Sequence, residues 1–535
     1  MKIVIADDVS EKAIEVLRAD PSWQVVDLGH EKGDAATRKQ RLVDEIRSAE
    51  ALVVRSATKV TAGLLEHAAR LRVIGRAGVG VDNVDLDAAT LKGVVVMNTP
   101  GGNAESVAEH TLALMLALAR RIPQADVSLK QGRWEKKAFL GQELRGKALG
   151  LVGFGRVGAE VARLAKALEM EVSAYDPHIA PRLAADHSVK LVTSLEELLA
   201  SSDFVSLHAS ATAESRHLVN AKTLAAARPG VRIVNCARGE LVDEAALLEA
   251  LQSGHVGGAG LDVFEVEPPK DSALVAHPNV IATPHIAGST EEAQEIVGIR
   301  IAEQVRDYLR EGVVRNAVNL PPVSAEEYRR LRPYLELGER LGTFLVQISG
   351  GPLEELRISY DGGLANLNTH LVKSAVLTGV LRRTLSEEEV NFVNAGSLAE
   401  SRGLEVTEVR SARRATASNS LGVALRGAAG TVSVLGAVGL RDSMRILGLN
   451  EVDVEAPLRG VILVIQNQDV PGVIGRVGTL LGERKINIGS FALGRDAESH
   501  EAIGLVNVDH SVPPETLAEL RAIPAIRSAQ LVEME

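Results

Sequence analysis

The chain holds a single cysteine, Cys236, among 535 residues. No intramolecular disulfide and no multi-cysteine metal site can be built from it, no resident metal is expected, and a reducing cytoplasm is the expected compartment. Aromatic residues make up only 3% of the sequence, so the cores are expected to consist of small branched side chains. No apolar run reaches the roughly 18 residues that a membrane-crossing helix needs. The longest, "TLALMLALA" at 111–119, fits a buried helix. A positive charge balance is missing too: the net charge is −11, which argues against nucleic-acid and anionic-membrane partners. The opening "MKIVIADDVS" reads as a strand and a turn, with no signal-peptide h-region. No short-period repeat is visible, which argues against a solenoid.

What is present is ordinary globular composition, 46% hydrophobic and 24% charged, at a length that suits three or four domains. Apolar strand patterns at 2–7, 23–28, 51–56, 72–78 and 94–99 alternate with helical patterns. Such βαβα order predicts a parallel sheet with helices on both faces, binding ligands beyond the carboxyl ends of its strands. A second α/β unit is expected over 100–287, opening with a long helix at 104–122. A helix after 288 should return the chain to the first unit, so that 1–99 and 288–318 form one domain, with "AVNLPP" (317–322) as a linker. Residues 319–453 predict an α+β domain without a catalytic constellation. Residues 454–535 read β-α-β-β-α-β, the ferredoxin-like order.

The segment "LGLVGFGRVG" sets Gly153, Gly155 and Gly158 between an apolar strand and a helix. Eighteen residues after Gly158, the next strand ends in Asp176. The set is a dinucleotide fingerprint: Gly153 permits the tight turn, Gly155 lets backbone approach a pyrophosphate, and Gly158 lets helix and sheet pack closely. Amides at the helix start face the phosphates. Asp176 is placed to accept from the ribose hydroxyls and would repel a 2′-phosphate, which favours NAD over NADP.

Oxidation of a hydroxy acid needs a base for the hydroxyl proton, an acid that orients the base, and a cation for the substrate carboxylate. His285 follows "TP" at one strand end, Glu267 lies in the loop after the strand "GAGLDVF", and Arg238 ends another strand in "NCARGELVDE". His285 is expected to be the general acid/base, Glu267 its orienting partner and Arg238 the carboxylate clamp. Asp262 is expected to face the nicotinamide, Glu265 to be a solvated loop acid, and Cys236 to be a small packing residue near the cofactor.

The stretches "RAGVGVDNVD", "LGLVGFGRVG", "VNCARGELVDE", "GLDVFEVEPP" and "TPHIAGST", in that order, resemble the D-isomer-specific 2-hydroxyacid dehydrogenases over about residues 1–320. The resemblance implies a flavodoxin-like substrate domain and a Rossmann NAD domain, both doubly wound, with a triad on Arg238, Glu267 and His285. It implies cofactor contacts from Val79 (through its backbone), Arg156, Val157, Asp176, Ala209, Cys236, Ala237, Arg238, Asp262, His285, Ile286 and Ala287. Substrate contacts are implied for Arg55, Ser56, Arg76, Gly78 and Asn103. The segment with Trp134 and Lys136 is similar to one that a neighbouring subunit inserts near the active site, which implies a homodimer or, in the family's usual form, a homotetramer.

Beyond residue 320 the chain resembles the family's long form, with an intervening regulatory domain and then an ACT domain. That form implies 3-phosphoglycerate as the small-molecule substrate and serine as an end-product effector. Asp469 lies on a loop entering a helix through Pro471 and Gly472. The helix amides are placed to hold an amino-acid carboxylate, with Asp469 on its ammonium and Asn487 on the ligand. Two alternatives stay open: a dehydrogenase for another 2-hydroxy acid, with 2-oxoglutarate reduction as a side activity, and an NAD-sensing, partner-binding protein on the same fold.

Overall fold

A computed structural model describes residues 1–31, 34–321, 325–350, 352–383, 390–411, 419–428, 430–496 and 500–534. Pro322, at the end of the expected linker, lies outside them. Strands β1 (Lys2–Ile5), β2 (Gln24–Asp27), β3 (Ala51–Val54), β4 (Val73–Arg76) and β5 (Val95–Met97) form a parallel sheet in the order β2-β1-β3-β4-β5. That order reverses between β1 and β3, so the ligand crevice opens at their carboxyl ends. The helix Glu291–Glu311 returns to this sheet and lays Val297, Ile301 and Val305 against it. The chain then pairs with its edge: the Val318 amide donates to the Val96 carbonyl at 2.7 Å.

The second sheet is parallel and has seven strands: β6 (Ala148–Val152), β7 (Glu171–Tyr175), β8 (Lys190–Leu191), β9 (Phe204–Leu207), β10 (Val231–Asn235), β11 (Val256–Leu261) and β12 (Val280–Ala282). Its order, β12-β11-β10-β9-β6-β7-β8, reverses between β6 and β9, the dinucleotide-binding arrangement. The helix Ala104–Arg120, apolar on most sides, is buried through Val107, Leu114 and Met115 against that sheet, as its composition requires.

A third sheet holds β13 (Leu353–Asp361), β14 (Glu405–Ser411), β15 (Ser420–Gly427), β16 (Gly430–Val438), β17 (Met444–Leu449) and β18 (Val452–Pro457), ordered β14-β13-β15-β16-β17-β18, with only β13 and β14 parallel. The fourth is antiparallel: β19 (Gly460–Gln468), β20 (Ile488–Asp496), β21 (Glu501–Val508) and β22 (Ile526–Met534), ordered β20-β21-β19-β22. Its helices Val473–Glu483 and Pro514–Arg521 cover one face, where Leu463 and Ile465 point. The alternate residues Ile462 and Val464 point to the other face, into a core shared with the helix Ala325–Ile348. With both faces buried, β19 needs apolar residues at consecutive positions, hence "VILVI". The third and fourth sheets therefore form one packed body. That body is fastened to the first sheet by the Asn391 side chain, which donates to the Gly93 carbonyl at 2.9 Å, and by Val393, buried in the first sheet's core.

Among the described residues no helix is long and apolar enough to cross a membrane, and no group of three or more His, Cys, Asp or Glu could hold a metal.

Candidate active site

Register brings three strand ends together. Asn235, Leu261 and Ala282 are paired neighbours on β10, β11 and β12. Arg238 and His285 each lie three residues beyond such an end, and Glu267 lies six beyond, so all three side chains rise from one rim of the sheet. His285 Nδ1 meets Glu267 Oε2 at 2.8 Å, and both side chains are partly exposed, at 50% and 37%. A carboxylate accepts only, so Nδ1 carries a proton toward Glu267 and Nε2 is the ring nitrogen outside this pair. The other oxygen, Glu267 Oε1, takes the Phe264 amide at 3.1 Å and so fixes the carboxylate's direction.

His285 has a left-handed backbone, with φ of 54°. Asp262 holds it there. This residue, fully buried one position past β11, accepts the Thr283 hydroxyl at 2.6 Å and the Ile286 and Ala287 amides at 2.9 and 2.8 Å. Burial raises its pKa, but these bonds and the His110 ring, 3.5 Å away, outweigh burial and lower it to about 2. Asp262 therefore stays ionised, committed to the backbone that carries His285. Asp262 thus supports the rim from beneath.

Arg238 Nη1 donates to the Ala237 carbonyl at 2.7 Å, and Nε lies 3.4 Å from Asp82 across the cleft. The next residue must be glycine: a Cβ on Gly239 would sit 2.0 Å from the Phe264 carbonyl carbon. That close approach draws the arginine-bearing turn against the loop that carries Glu267.

From the first sheet, Arg76 ends β4, and burial lowers its pKa, helped by repulsion from Arg238 and Arg55 and opposed by Asp82 and Asp7. Three guanidiniums thus face one cleft. Arg76 Nε is buried without a hydrogen-bond partner among the described residues. A Cβ on Gly78 would overlap Arg76 Nη1 at 1.6 Å, and Gly78 has φ of 149°. Arg55 and Ser56 lie on a loop shaped by Asp7, which takes the Arg55 and Thr58 amides and the Thr58 hydroxyl, and by Asn83, which donates to the Arg55 and Thr58 carbonyls. Asn103 opens the helix Ala104–Arg120 so close to Gly288 that a Cβ there would meet its Nδ2 at 2.6 Å. Val79 offers its carbonyl to Asn98 Nδ2 at 2.5 Å.

The glycine loop fits a pyrophosphate. Gly153 has φ of 93°, and a Cβ there would lie 2.8 Å from the Ala209 amide. A Cβ on Gly158 would lie 2.5 Å from the Gly153 carbonyl oxygen, whereas Gly155 faces open space with nothing within 4 Å. Arg156 and Val157 begin the helix Arg156–Ala167, whose first-turn amides have no intrahelical acceptor. The Arg156 guanidinium donates to the Pro100 carbonyl across the cleft. Asp176, just past β7, accepts the Phe154 amide at 2.8 Å and the His178 amide at 2.9 Å, which leaves further lone pairs for ribose hydroxyls. Asp176→Ala is expected to cut the preference for NAD over NADP by roughly 10-fold to 100-fold, read as the ratio of kcat/KM for the two cofactors. An unchanged ratio removes Asp176 from that role. Burial pushes the Cys236 thiol up to about 12, so it stays protonated and packs rather than attacks.

Lys136 and Trp134 lie in a segment where Trp134 is 82% and Leu140 87% exposed. In the fourth sheet's domain, Asp469 is already gripped by Arg495, through Nε at 2.7 Å and Nη2 at 2.6 Å, and Asn487 donates to Asp509 at 2.7 Å. The sequence reading missed Arg495, Asp7, Asn83 and His110. An acid directly after a first strand ("IADD") is the one signal that pointed to Asp7.

A cofactor loop, a His–Glu pair and converging guanidiniums on two doubly wound domains define an NAD-binding dehydrogenase for small acids. Family models match in three stretches: the D-isomer specific 2-hydroxyacid dehydrogenase NAD binding domain over 112–287, the D-3-phosphoglycerate dehydrogenase intervening domain over 330–450, and the ACT domain over 461–525. The chain is 41% identical to D-3-phosphoglycerate dehydrogenase of Methanocaldococcus jannaschii, over all of both chains. It is 42% identical to that of Bacillus subtilis, over 92% of this chain and 93% of the relative. Among solved structures, a D-lactate dehydrogenase from Treponema pallidum superposes with a TM-score of 0.52 at 30% identity, covering 60% of this chain and all of that one. The chain belongs to the D-3-phosphoglycerate dehydrogenase family.

Proposed function

We propose that the protein oxidises D-3-phosphoglycerate to 3-phosphohydroxypyruvate, the first step of the phosphorylated route to serine, in the cytoplasm. The observation that carries this reading is the 2.8 Å His285–Glu267 pair on the rim that also bears Arg238, opposite Arg55 and Arg76. Arg238 grips the substrate carboxylate, and Arg55 and Arg76 meet its phosphate. His285 Nε2 takes the proton of the 2-hydroxyl, and Glu267 stabilises the imidazolium through Nδ1–H. Bound NAD supplies the hydride acceptor. Asp176 would hold its adenosine ribose and the Gly153–Gly158 loop its pyrophosphate, with Ala209, Cys236, Ala237, Ile286 and Ala287 holding the remainder. Each substrate anion has its own cation, which favours a phosphorylated acid over glycerate or lactate.

The same reading includes a homodimer through the NAD domains, or a tetramer built from two, in which Trp134 and Lys136 reach the partner's cleft. The exposed Ile122, Val127 and Leu129 support that contact surface. It includes serine as an effector at Asp469 and Asn487, on the loops before and after the helix Val473–Glu483.

The test is NADH formation with 3-phosphoglycerate, with glycerate, lactate and 2-hydroxyglutarate as comparators, with and without serine. A kcat/KM for 3-phosphoglycerate at least about 100-fold above each comparator is expected, from the paired charges of the phosphate. Equal rates would end the assignment. Serine is expected to inhibit the native enzyme and to lose its effect in Asp469→Ala; equal inhibition of both forms removes that site.

A further inference from the structure

Three loops of the active-site rim meet around Glu265, whose carboxylate the proton-transfer pair does not use. Glu265 Oε1 accepts from His217 Nε2 at 2.6 Å and from Arg216 Nη2 at 3.0 Å. The Glu265 amide donates to Glu244 Oε1 at 2.8 Å, and the His217 amide donates to the Glu240 carbonyl at 2.8 Å. Arg216 and His217 end the loop after β9 that begins with His208 and Ala209, on the cofactor side. Glu240 and Glu244 follow Arg238 beyond β10. Glu265 stands two residues before Glu267 beyond β11. The three loops are thus joined pairwise, and the Glu265 carboxylate makes the tie between its own loop and the one that bears Arg216 and His217.

The tie grips the middle of a tight turn. Glu267 Oε1 closes the turn onto the Phe264 amide while Glu267 Oε2 faces His285. The direction of that second oxygen therefore depends on the conformation of residues 264–267, and Glu265 is the anchored member of that stretch. From below, the absent Cβ of Gly239 lets the neighbouring turn press on Phe264 and Glu265. His217 itself is held at φ of 52°, a conformation that residues with side chains keep only where their surroundings impose it.

We propose that Glu265, held by His217 and Arg216, is a positioning residue that keeps Glu267 aimed at His285 and links that aim to the cofactor-side loop. The proposal rests on His285 and Glu267 being the proton-transfer pair. The sequence reading of Glu265 as a solvated loop acid is replaced by this three-loop clasp, in which its side chain is 27% exposed. Ion pairs this open to water contribute little to stability. The clasp should therefore show in the chemical step rather than in the melting temperature.

The experiment uses the full-length enzyme with NAD and 3-phosphoglycerate, and four variants: Glu265→Ala, Glu265→Gln, Glu267→Ala and the Glu265→Ala/Glu267→Ala double. Glu265→Ala is expected to lower kcat about 10-fold to 100-fold, the scale of an ångström-sized misplacement, with KM for 3-phosphoglycerate within about twofold. Glu265→Gln keeps an accepting oxygen and should recover most of the loss. In the Glu267→Ala background, removing Glu265 should change kcat by less than about twofold, because a positioning group has nothing left to position. Wild-type kcat in Glu265→Ala overturns the proposal, as do fully multiplicative losses in the double variant. If Glu265→Ala fails to fold, the exposed-site variant Arg216→Met carries the test: a drop in kcat of about threefold or more is expected, and wild-type kcat overturns the clasp. Wild-type kcat in Glu267→Ala would remove the proton-transfer pair itself, whereas a loss there without one in Glu265→Ala removes only the clasp.

Discussion

His285→Ala is expected to lower kcat by roughly 10²-fold to 10⁴-fold while NAD still binds, because a positioned general base contributes on that scale. The variant deletes the imidazole alone. The left-handed turn at 285 is held by backbone bonds: the His285 amide donates to the Asp262 carbonyl at 2.9 Å, and the Asp262 carboxylate holds the next two amides. The cofactor-facing backbone at Ile286 and Ala287 therefore keeps its place. Steady-state NADH formation gives the first number, and NAD titration by fluorescence gives the second. Loss of NAD binding together with turnover would assign the residue to the scaffold, and unchanged turnover would reject it as the base.

Arg238→Gln is expected to lower kcat/KM about 10²-fold to 10³-fold, with NAD affinity within a few-fold of the native value. Two charge-assisted bonds to a carboxylate are together worth about 3–4 kcal/mol, which corresponds to that factor. Arg238→Lys should rescue little, because an ammonium cannot present the planar fork that meets both carboxylate oxygens. Gly239 leaves the turn no freedom to move a shorter cation forward, since its backbone already touches that of Phe264. Kinetics at varied substrate under saturating NAD decides the point; a Lys variant with native kcat/KM would mean that charge alone, without the fork, is enough.

Much of this site can be read from the sequence because parallel sheets place ligands by rule. Once β10, β11 and β12 are recognised as strands, Arg238, Glu267 and His285 fall at their carboxyl ends, and Gly153, Gly155, Gly158 and Asp176 carry their reasons in their spacing. The bonds of Asp262 to the Ile286 and Ala287 amides were not legible, because they depend on the path of residues 283–287, which no spacing rule gives. Glu265 and Asp469 looked free because their partners, His217 and Arg495, lie 48 and 26 residues away with no periodic relation to them. The same distance hid Asp7 and Asn83, which shape the Arg55 loop from other strand ends. The shared core beneath β19 was half legible: the unbroken "VILVI" run calls for two covered faces, but nothing in it names the helix Ala325–Ile348 as the second cover.

That shared core has a mechanical consequence. The last two sheets, sharing one apolar core with the helix Ala325–Ile348, should tilt as a single crank when anything pulls on β20 or on the helix Val473–Glu483. Asn391, Val393 and Asn394, which donates to the Leu91 carbonyl at 3.2 Å, are the crank's bolts on the first domain, and Asn391 sits at Gly93, at the root of β5. The strand that leaves Gly93 runs straight into Asn98–Gly101, the connection between the two lobes that flank the cleft. A small rotation far from the cleft should thus reach that connection through a lever three residues long, the strand Val95–Met97.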